Sequence, residues 1–388
     1  MAKRIMRWYL GISLFVLCFF ARAAAVTLET VAVWDAFAPG QQVAGRKISP
    51  NGGSAKTDIS LPNVRLADNP YERFSQAVAE AKIADPSTIA LQFFGDVMLD
   101  RNVAKAMGDQ MLDYIFAPLG PTRRLFGSAD LTIANLEGPF AEARVKTGKS
   151  IAFRFDPVFA TELRFYGFNA VNLANNHLYD MGRANVAFTR QTLKKAGLGY
   201  FGDELQEGKD FTWITEVAGQ PVAFIGLHNV YRDLNMTKVK AALKDAKERA
   251  RYVIINIHWG DEYQRISNAK QRALARQLID LGADAVIGHH PHVIQEMEIY
   301  QGKPIFYSLG NFIFDQYFSE DTQEGLSAAL ILQGGSVKDV YVLPFYGIKS
   351  QVYVMAGERR EKLLSWFSKN SRLGKRSIED GRLSFRAQ

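Results

Sequence analysis

From Ile89 onward the chain alternates short, nearly continuous apolar runs with stretches of helical period. The runs are Ile89–Phe94, Leu131–Ala134, Ala170–Ala174, Val222–Leu227, Val253–Ile257 and Ala285–Ile287. Runs this short and this rich in β-branched residues read as strands buried on both faces. Between them, Asn102–Met111, a segment closing at Glu162–Gly167, Asn185–Ala196 (stopped by Gly197) and Asn268–Leu281 (stopped by Gly282) read as helices. Strands alternating with helices predict a mostly parallel α/β sheet. Further on, Ile305–Leu309, Gly325–Leu332 and Val337–Leu343 follow one another without long helices, which predicts antiparallel pairing. Upstream, Tyr71–Ile83 has helical period, Leu28–Trp34 fits a strand, and Phe37–Asn69 is punctuated by proline and glycine turn signals. The pattern divides the chain into a leader (1–25), an extension packing on the main domain (26–86), the main α/β domain (87–348) and a basic tail (349–388). In that tail Leu363, Leu364, Trp366 and Phe367 would dock on the body.

The apolar runs end in residues that bind metal or move protons. All six histidines lie between His177 and His292, in LANNH, FIGLH, INIHWGDEY and VIGHHPHV. FFGDVMLDR supplies Asp96 and Asp100, and IANLEG supplies Asn135 and Glu137, in the same position. In open α/β sheets, sites are built at the carboxyl ends of strands.

Composition and charge narrow the chemistry. Lys3, Arg4 and Arg7, the apolar run Trp8–Phe20 and then Ala21-Arg22-Ala23 have the order of a secretory signal. Export to the periplasm or medium is therefore expected, with a retained signal anchor as the alternative. Cys18 is the only cysteine and lies in that leader, so the rest of the chain has neither disulfide nor thiolate, and any metal must take nitrogen and oxygen ligands. The net charge of +7 falls to +3 without the basic leader residues Lys3, Arg4, Arg7 and Arg22. No nucleic-acid partner is expected.

The residues offer a hydrolytic metal site. Such sites need hard oxygen ligands and imidazoles from several strands, and two cations roughly 3.5–4 Å apart can activate water and hold both oxygens of a displacement. In an extended His290-Pro291-His292 segment both imidazoles would face one cavity. His228 and the aromatic residues have ready structural explanations as a satisfied histidine and as core.

Gly95-Asp96, Asn135-Leu136-Glu137, Asn175-Asn176-His177, His258-Trp259-Gly260, Gly288-His289-His290-Pro291-His292 and Ser308-Leu309-Gly310-Asn311-Phe312 come in one order. Over Ile89 to Gly347 this order resembles the CapA family of capsule and poly-γ-glutamate biosynthesis, itself similar to calcineurin-like metallophosphoesterases. The resemblance implies a four-layer α/β/β/α sandwich. It implies that Asp96, Glu137, Asn176, His258, His290 and His292 hold one or two divalent ions, with Mn, Fe and Zn as candidates. It implies His177 as general acid. Arg101 suits an anionic substrate, and Asp100, Asn135, Asn175, Glu262, His289 and Asn311 are candidates for substrate contact or ligand support. One departure stands out. Phosphoesterases carry histidine two residues after the first aspartate, where this chain has Met98, so one metal position is differently ligated, weaker, or filled by Asp100. The expected function is metal-dependent hydrolysis or transfer on an anionic envelope polymer or phosphorylated precursor, alongside other capsule-synthesis or membrane proteins. The alternatives are a non-catalytic polymer-binding assembly or export component and a general secreted phosphodiesterase.

Overall fold

The structure, a computed structural model, describes residues 70–120, 127–203 and 211–385. The leader and the strand expected at Leu28–Trp34 lie outside the described residues. Helix α1 (Pro70–Ala84) leads into β1 (Ile89–Val97), α2 (Arg101–Met107) and α3 (Leu112–Phe116). Then come β2 (Leu131–Leu136), α4 (Val158–Phe165), β3 (Ala170–Asn172), α5 (Ala184–Lys195) and β4 (Gly199–Phe201). A second series runs β5 (Thr212–Val217), β6 (Gln220–Asn229), α6 (Met236–Arg249), β7 (Tyr252–Trp259), α7 (Ala269–Asp280), β8 (Ala285–His289), β9 (Met297–Tyr300) and β10 (Lys303–Phe306). The chain closes with β11 (Asn311–Ile313), α8 (Glu320–Gln323), β12 (Glu324–Gln333), β13 (Ser336–Ile348), β14 (Gln351–Val354), α9 (Gly357–Asn370) and β15 (Arg382–Ser384).

These strands form two sheets. One is ordered β14-β13-β12-β1-β2-β3-β4, with β11 on β1 and β15 on β13, and the other β5-β6-β7-β8-β10-β9. Strands β1 to β4 are parallel neighbours, as are β6, β7 and β8, while β12, β13 and β14 pair antiparallel. Side-chain alternation explains the layering. Along β7, Tyr252 and Ile254 pack between the sheets against Phe93, Phe224 and Leu330, while Val253, Ile255 and Ile257 pack under Val239 and Leu243 of α6 and Leu278 of α7. On the far side, Phe94 and Val171 meet Phe74, Val103, Leu163 and Leu193 of the other helices. The result is the four-layer α/β/β/α sandwich. Truncating a central aromatic such as Phe93 or Phe224 to alanine would cost roughly 3–5 kcal/mol.

Three expectations change. The helix expected over Asn102–Met111 ends at Met107, because Gly108 takes φ +47° and one 3₁₀ turn follows. The run Ile305–Leu309 is not simply antiparallel: β10 pairs antiparallel with β9 but parallel with β8. The segment read as a basic tail supplies β14 and β15 to the first sheet, while Leu363, Leu364 and Phe367 of α9 dock in the core between the sheets as expected. Helix α1 packs on β13, with Tyr71 against Phe345 and Phe74 against Tyr341.

Candidate metal centre

Register brings the polar strand ends together. In the first sheet Asn311, Asp96, Asn135 and Asn172 are neighbours across β11, β1, β2 and β3. In the second, His228, His258 and His289 stand abreast on β6, β7 and β8. Glycines let the backbones close in here. A Cβ on Gly95 would sit 1.9 Å from the Gly310 carbonyl oxygen, and one on Gly288 2.0 Å from that of Tyr307. Only glycine therefore fits before Asp96 and before His289.

Asp96 is fully buried and accepts from Asn135 Nδ2 at 2.8 Å and from the His290 backbone N–H at 3.3 Å. His292 Nδ1 lies 3.3 Å from Asp96 Oδ2, the oxygen that accepts from His290, while Asn135 donates to Oδ1. Burial works against the carboxylate, but His292, His289 and Asn135 outweigh it and hold Asp96 below the usual range. Glu137, also fully buried, has no hydrogen-bond partner on either carboxylate oxygen among the described residues. His292 Nε2 stands 3.7 Å and His177 Nε2 3.8 Å from Glu137 Oε1. Burial, with Asp96, Glu262 and Asp180 nearby, pushes Glu137 well above the usual range against the pull of His292.

The imidazoles are held in defined states. Asn311 donates from Nδ2 to the Thr322 carbonyl at 2.9 Å, so its Oδ1 faces His292 Nδ1 at 3.0 Å. That bond makes Nδ1 the donor and turns the other nitrogen toward Glu137. Burial lowers the pKa of His292, but Glu137, Asp96 and Asn311 override it and raise it to about 9. Burial dominates elsewhere: His258 is held well below its usual value, His289 at about 4 and His290 at about 3. Neutral imidazoles are what metal ligation requires. His258 Nε2 is 2.9 Å from Asn176 Oδ1 and its ring centroid 4.7 Å from that of His290.

The His290-Pro291-His292 segment is not extended as expected. His290 takes φ +98° and His292 φ +58°, so a tight turn, not strand alternation, brings the two ring centroids to 5.8 Å. Arg101 (φ +51°) and Tyr263 (φ +64°) are likewise left-handed at this site. Each such residue costs on the order of 1–3 kcal/mol, which the surrounding packing must override.

Other expected residues have different places. Asn175 donates to the Leu136 carbonyl at 2.8 Å and accepts from the His177 N–H, tying β3 to β2 and aiming the two residues that follow. His289 Nε2 is 3.4 Å from Asn256 Oδ1, with Nδ1 3.7 Å from Asp96. Asp100 does not fill the position left by Met98. Its Oδ2 accepts from Arg144 at 2.5 Å and the Arg154 N–H at 2.9 Å, because the chain turns there into α2 and aims the carboxylate at the 140s segment. The Arg101 guanidinium is paired with Asp315 and lies 4.9 Å above the Phe153 ring, at the partly exposed mouth. His228 stands beside the ligands, its ring 6.0 Å from His258.

His177 Nδ1 is 2.6 Å from Asp180 Oδ2, and its ring packs on Phe153 at 4.2 Å. Burial lowers its pKa despite Asp180. The resting ring is thus neutral, with Nδ1–H on Asp180 and Nε2 bare. With Nδ1 held by Asp180, Nε2 is the ring atom left to exchange a proton. Asp180 is not among the residues that the sequence pattern singles out. Asp180 is buried, accepts from Lys149 Nζ at 2.7 Å and from the Phe153 N–H at 2.6 Å, and fixes the histidine. Its signal was a charged residue three positions after His177 inside an apolar phrase. Asn172 was also missed: its Nδ2 donates to Asn135 Oδ1 at 2.9 Å.

Among the described residues two overlapping ligand groups emerge, Asp96–Glu137–His292 and Glu262–His290–His292, each with its ligand atoms within 4.8 Å of one another. The unpartnered buried Glu137 oxygens and the nitrogen–oxygen donor set fit a divalent cation. Fold and site together define a four-layer α/β/β/α protein with a candidate metal centre at its strand ends.

A model of the bacterial capsule synthesis protein PGA_cap family matches residues 90–316, and the chain belongs to that family. It is 30% identical over 275 residues to the capsule biosynthesis protein CapA of Bacillus anthracis, covering 65% of this chain and 66% of that protein, just under two thirds. It is 28% identical over 327 residues to the PGA biosynthesis protein CapA of Bacillus subtilis strain 168, covering 79% and 84%. Among solved structures, a hypothetical protein from Thermus thermophilus aligns with 18% identity and a TM-score of 0.46, over 69% of this chain and 100% of that one.

Proposed function

We propose that this protein is an exported, divalent-metal-dependent hydrolase or transferase of capsule biosynthesis, acting on an anionic envelope polymer or its phosphorylated precursor. The observation that carries the reading is Glu137: a buried carboxylate without a hydrogen-bond partner among the described residues, between Asp96 and His292, is stable only with a cation or a proton. Export is supported by the basic, apolar and small-residue order of the leader. The capsule role is supported by family membership and by the relatives' names.

Asp96, Glu137, Asn176, His258, His290 and His292 would hold the metal, and His289, Asn135 and Asn311 orient them. When bound, the cation supplies Lewis-acid activation of water and of an oxygen at the scissile group. His177 takes a proton at Nε2 and returns it to the leaving group, while Asp180 fixes its tautomer and stabilises the charged ring. Arg101, Arg144 and Lys149 lie partly exposed near the site, each paired with a carboxylate (Asp315, Asp100 and Asp180), so they would offer an anionic substrate hydrogen-bond donors and not net positive charge.

The test is a screen of the purified full chain against phosphomonoesters, phosphodiesters and γ-glutamyl amides, with and without Mn²⁺. The reading predicts turnover that needs metal and is lost in Asp96→Asn. Metal-loaded protein that binds polymer but turns over none of these substrates would favour the non-catalytic assembly role.

A further inference from the structure

We infer that Tyr263 and Phe318 form a fixed aromatic corner beside the metal centre, which holds a ring of the substrate next to the reacting bond. This rests on the proposed function and names a part of the substrate which that reading leaves open. Three observations carry it. First, the rings adjoin the site. The Tyr263 ring centroid lies 6.3 Å from that of His292 and 5.2 Å from that of Phe318. Second, both side chains face solvent, Tyr263 43% and Phe318 67% exposed, and neither belongs to the apolar clusters of the core among the described residues. The fold therefore does not account for them. Third, they are exposed on backbone that is held. Tyr263 takes φ +64°, and its N–H donates to the Pro291 carbonyl at 2.8 Å. Its hydroxyl accepts from Gln316 Nε2 at 3.3 Å, and Gln316 Oε1 accepts at 3.0 Å from Nδ2 of Asn311, the residue that orients His292. Phe318 sits between Tyr317, whose hydroxyl is hydrogen-bonded to Ser350 Oγ, and Ser319, whose Oγ accepts from the Thr322 N–H at 3.2 Å.

Exposure on a held backbone is what a ligand contact requires. A left-handed tyrosine is strained, and strain of this kind persists at sites that clamp ligands. An exposed phenylalanine that covered nothing would gain nothing from a stapled loop. The two rings meet at 85°, so a ring entering the corner lays its face on one and its edge on the other, the two favoured aromatic geometries. Neither ring carries charge, so the corner takes the uncharged part of the substrate while the anionic group goes to the cation. A chain of γ-glutamyl units has no ring. The corner therefore suits a phosphorylated substrate that bears an aromatic or sugar ring beside its phosphoryl group.

The experiment is calorimetric titration of Mn²⁺-loaded full-length protein with methylphosphonate, cyclohexylphosphonate and phenylphosphonate, which are not hydrolysed. It is run on wild type, Phe318→Ala and Phe318→Tyr, with melting temperatures as the folding control. Wild type should bind a ring-bearing probe roughly 10-fold more tightly than methylphosphonate, the order expected for one ring on an aromatic face. Preference for the phenyl probe marks flat rings, and preference for the cyclohexyl probe marks saturated, sugar-like ones. Phe318→Ala should bring that affinity ratio close to unity at an unchanged melting temperature, and Phe318→Tyr should keep it. A ratio close to unity in wild type, as expected if the rings serve a protein or membrane partner, would overturn the inference. So would a ratio that survives Phe318→Ala. Failure of every probe to bind metal-loaded wild type would instead overturn the phosphoryl-substrate reading beneath it, and the inference with it.

Discussion

Glu137→Gln should make the metal-free protein more stable and the metal-loaded protein less so. The substitution keeps shape and removes the charge. In the metal-free protein Glu137 is fully buried, without a hydrogen-bond partner on either oxygen among the described residues, and near Asp96 and Asp180. An unsatisfied buried polar group costs about 1–3 kcal/mol, and a charged one more. Part of that cost is offset by attraction to His292 at 3.7 Å, and the glutamine amide remains polar. The net gain is therefore about 1–2 kcal/mol, which in a domain of roughly 300 residues raises the melting temperature by about 2–3 °C. Metal reverses the order. Wild type gains about 2.7 kcal/mol at a cation concentration of 100 Kd, and the variant, lacking a ligand and binding at least 10–100-fold more weakly, gains much less. Melting curves with chelator and with Mn²⁺, run on both proteins, should cross in rank. A variant that is destabilised by several kcal/mol without metal and shows the wild-type metal shift would refute the reasoning, because Glu137 would then be a structural residue.

His177→Asn should slow turnover roughly 10²–10⁴-fold while metal content and melting temperature hold; loss of activity only in proportion to lost fold would remove its proton-transfer role. His290→Ala and His292→Ala should each lower metal affinity at least 10-fold, whereas His228→Ala should not, as measured by titration. In the metal-free protein the contributions of His289, His290 and His292 should together be greatest near pH 6.5, with the raised Glu137 subtracting as pH rises. His289 and His290 fall to about 4 and about 3 on folding, chiefly by burial, so their contribution is full above pH 6.5 and lost as pH drops through those values. His292 is raised to about 9, so its contribution is full below pH 6.5 and lost as pH rises through 9. Urea unfolding between pH 4 and 9 checks this, and a profile flat on both sides contradicts it.

The strands were legible because two-sided burial leaves continuous apolar runs, and their polar ends were legible because so few residues interrupt those runs. Strand pairing was less so. Nothing in Ile89–Phe94 announces that β1 has a parallel partner on one side and the antiparallel β12 on the other. The helix after Asp100 was overextended because one glycine at positive φ, not a polarity change, ends it. At the site, the residues that bind were visible as types, but the residues that aim them were not. Asp180, Asn172 and Asn256 act through side-chain hydrogen bonds whose partners lie distant in sequence or across a turn. The facing of His290 and His292 was expected from strand alternation and arises from left-handed backbone instead. Asp100 read as a ligand by proximity to Asp96, yet the chain turns between them.

The most direct test is anomalous X-ray diffraction from crystals of the protein soaked in Mn²⁺. The account predicts a peak at roughly 2.0–2.2 Å from oxygens of Asp96 and Glu137 and from His292 Nε2. An anomalous map with no peak among these residues, in crystals that carry Mn²⁺ elsewhere, would contradict it.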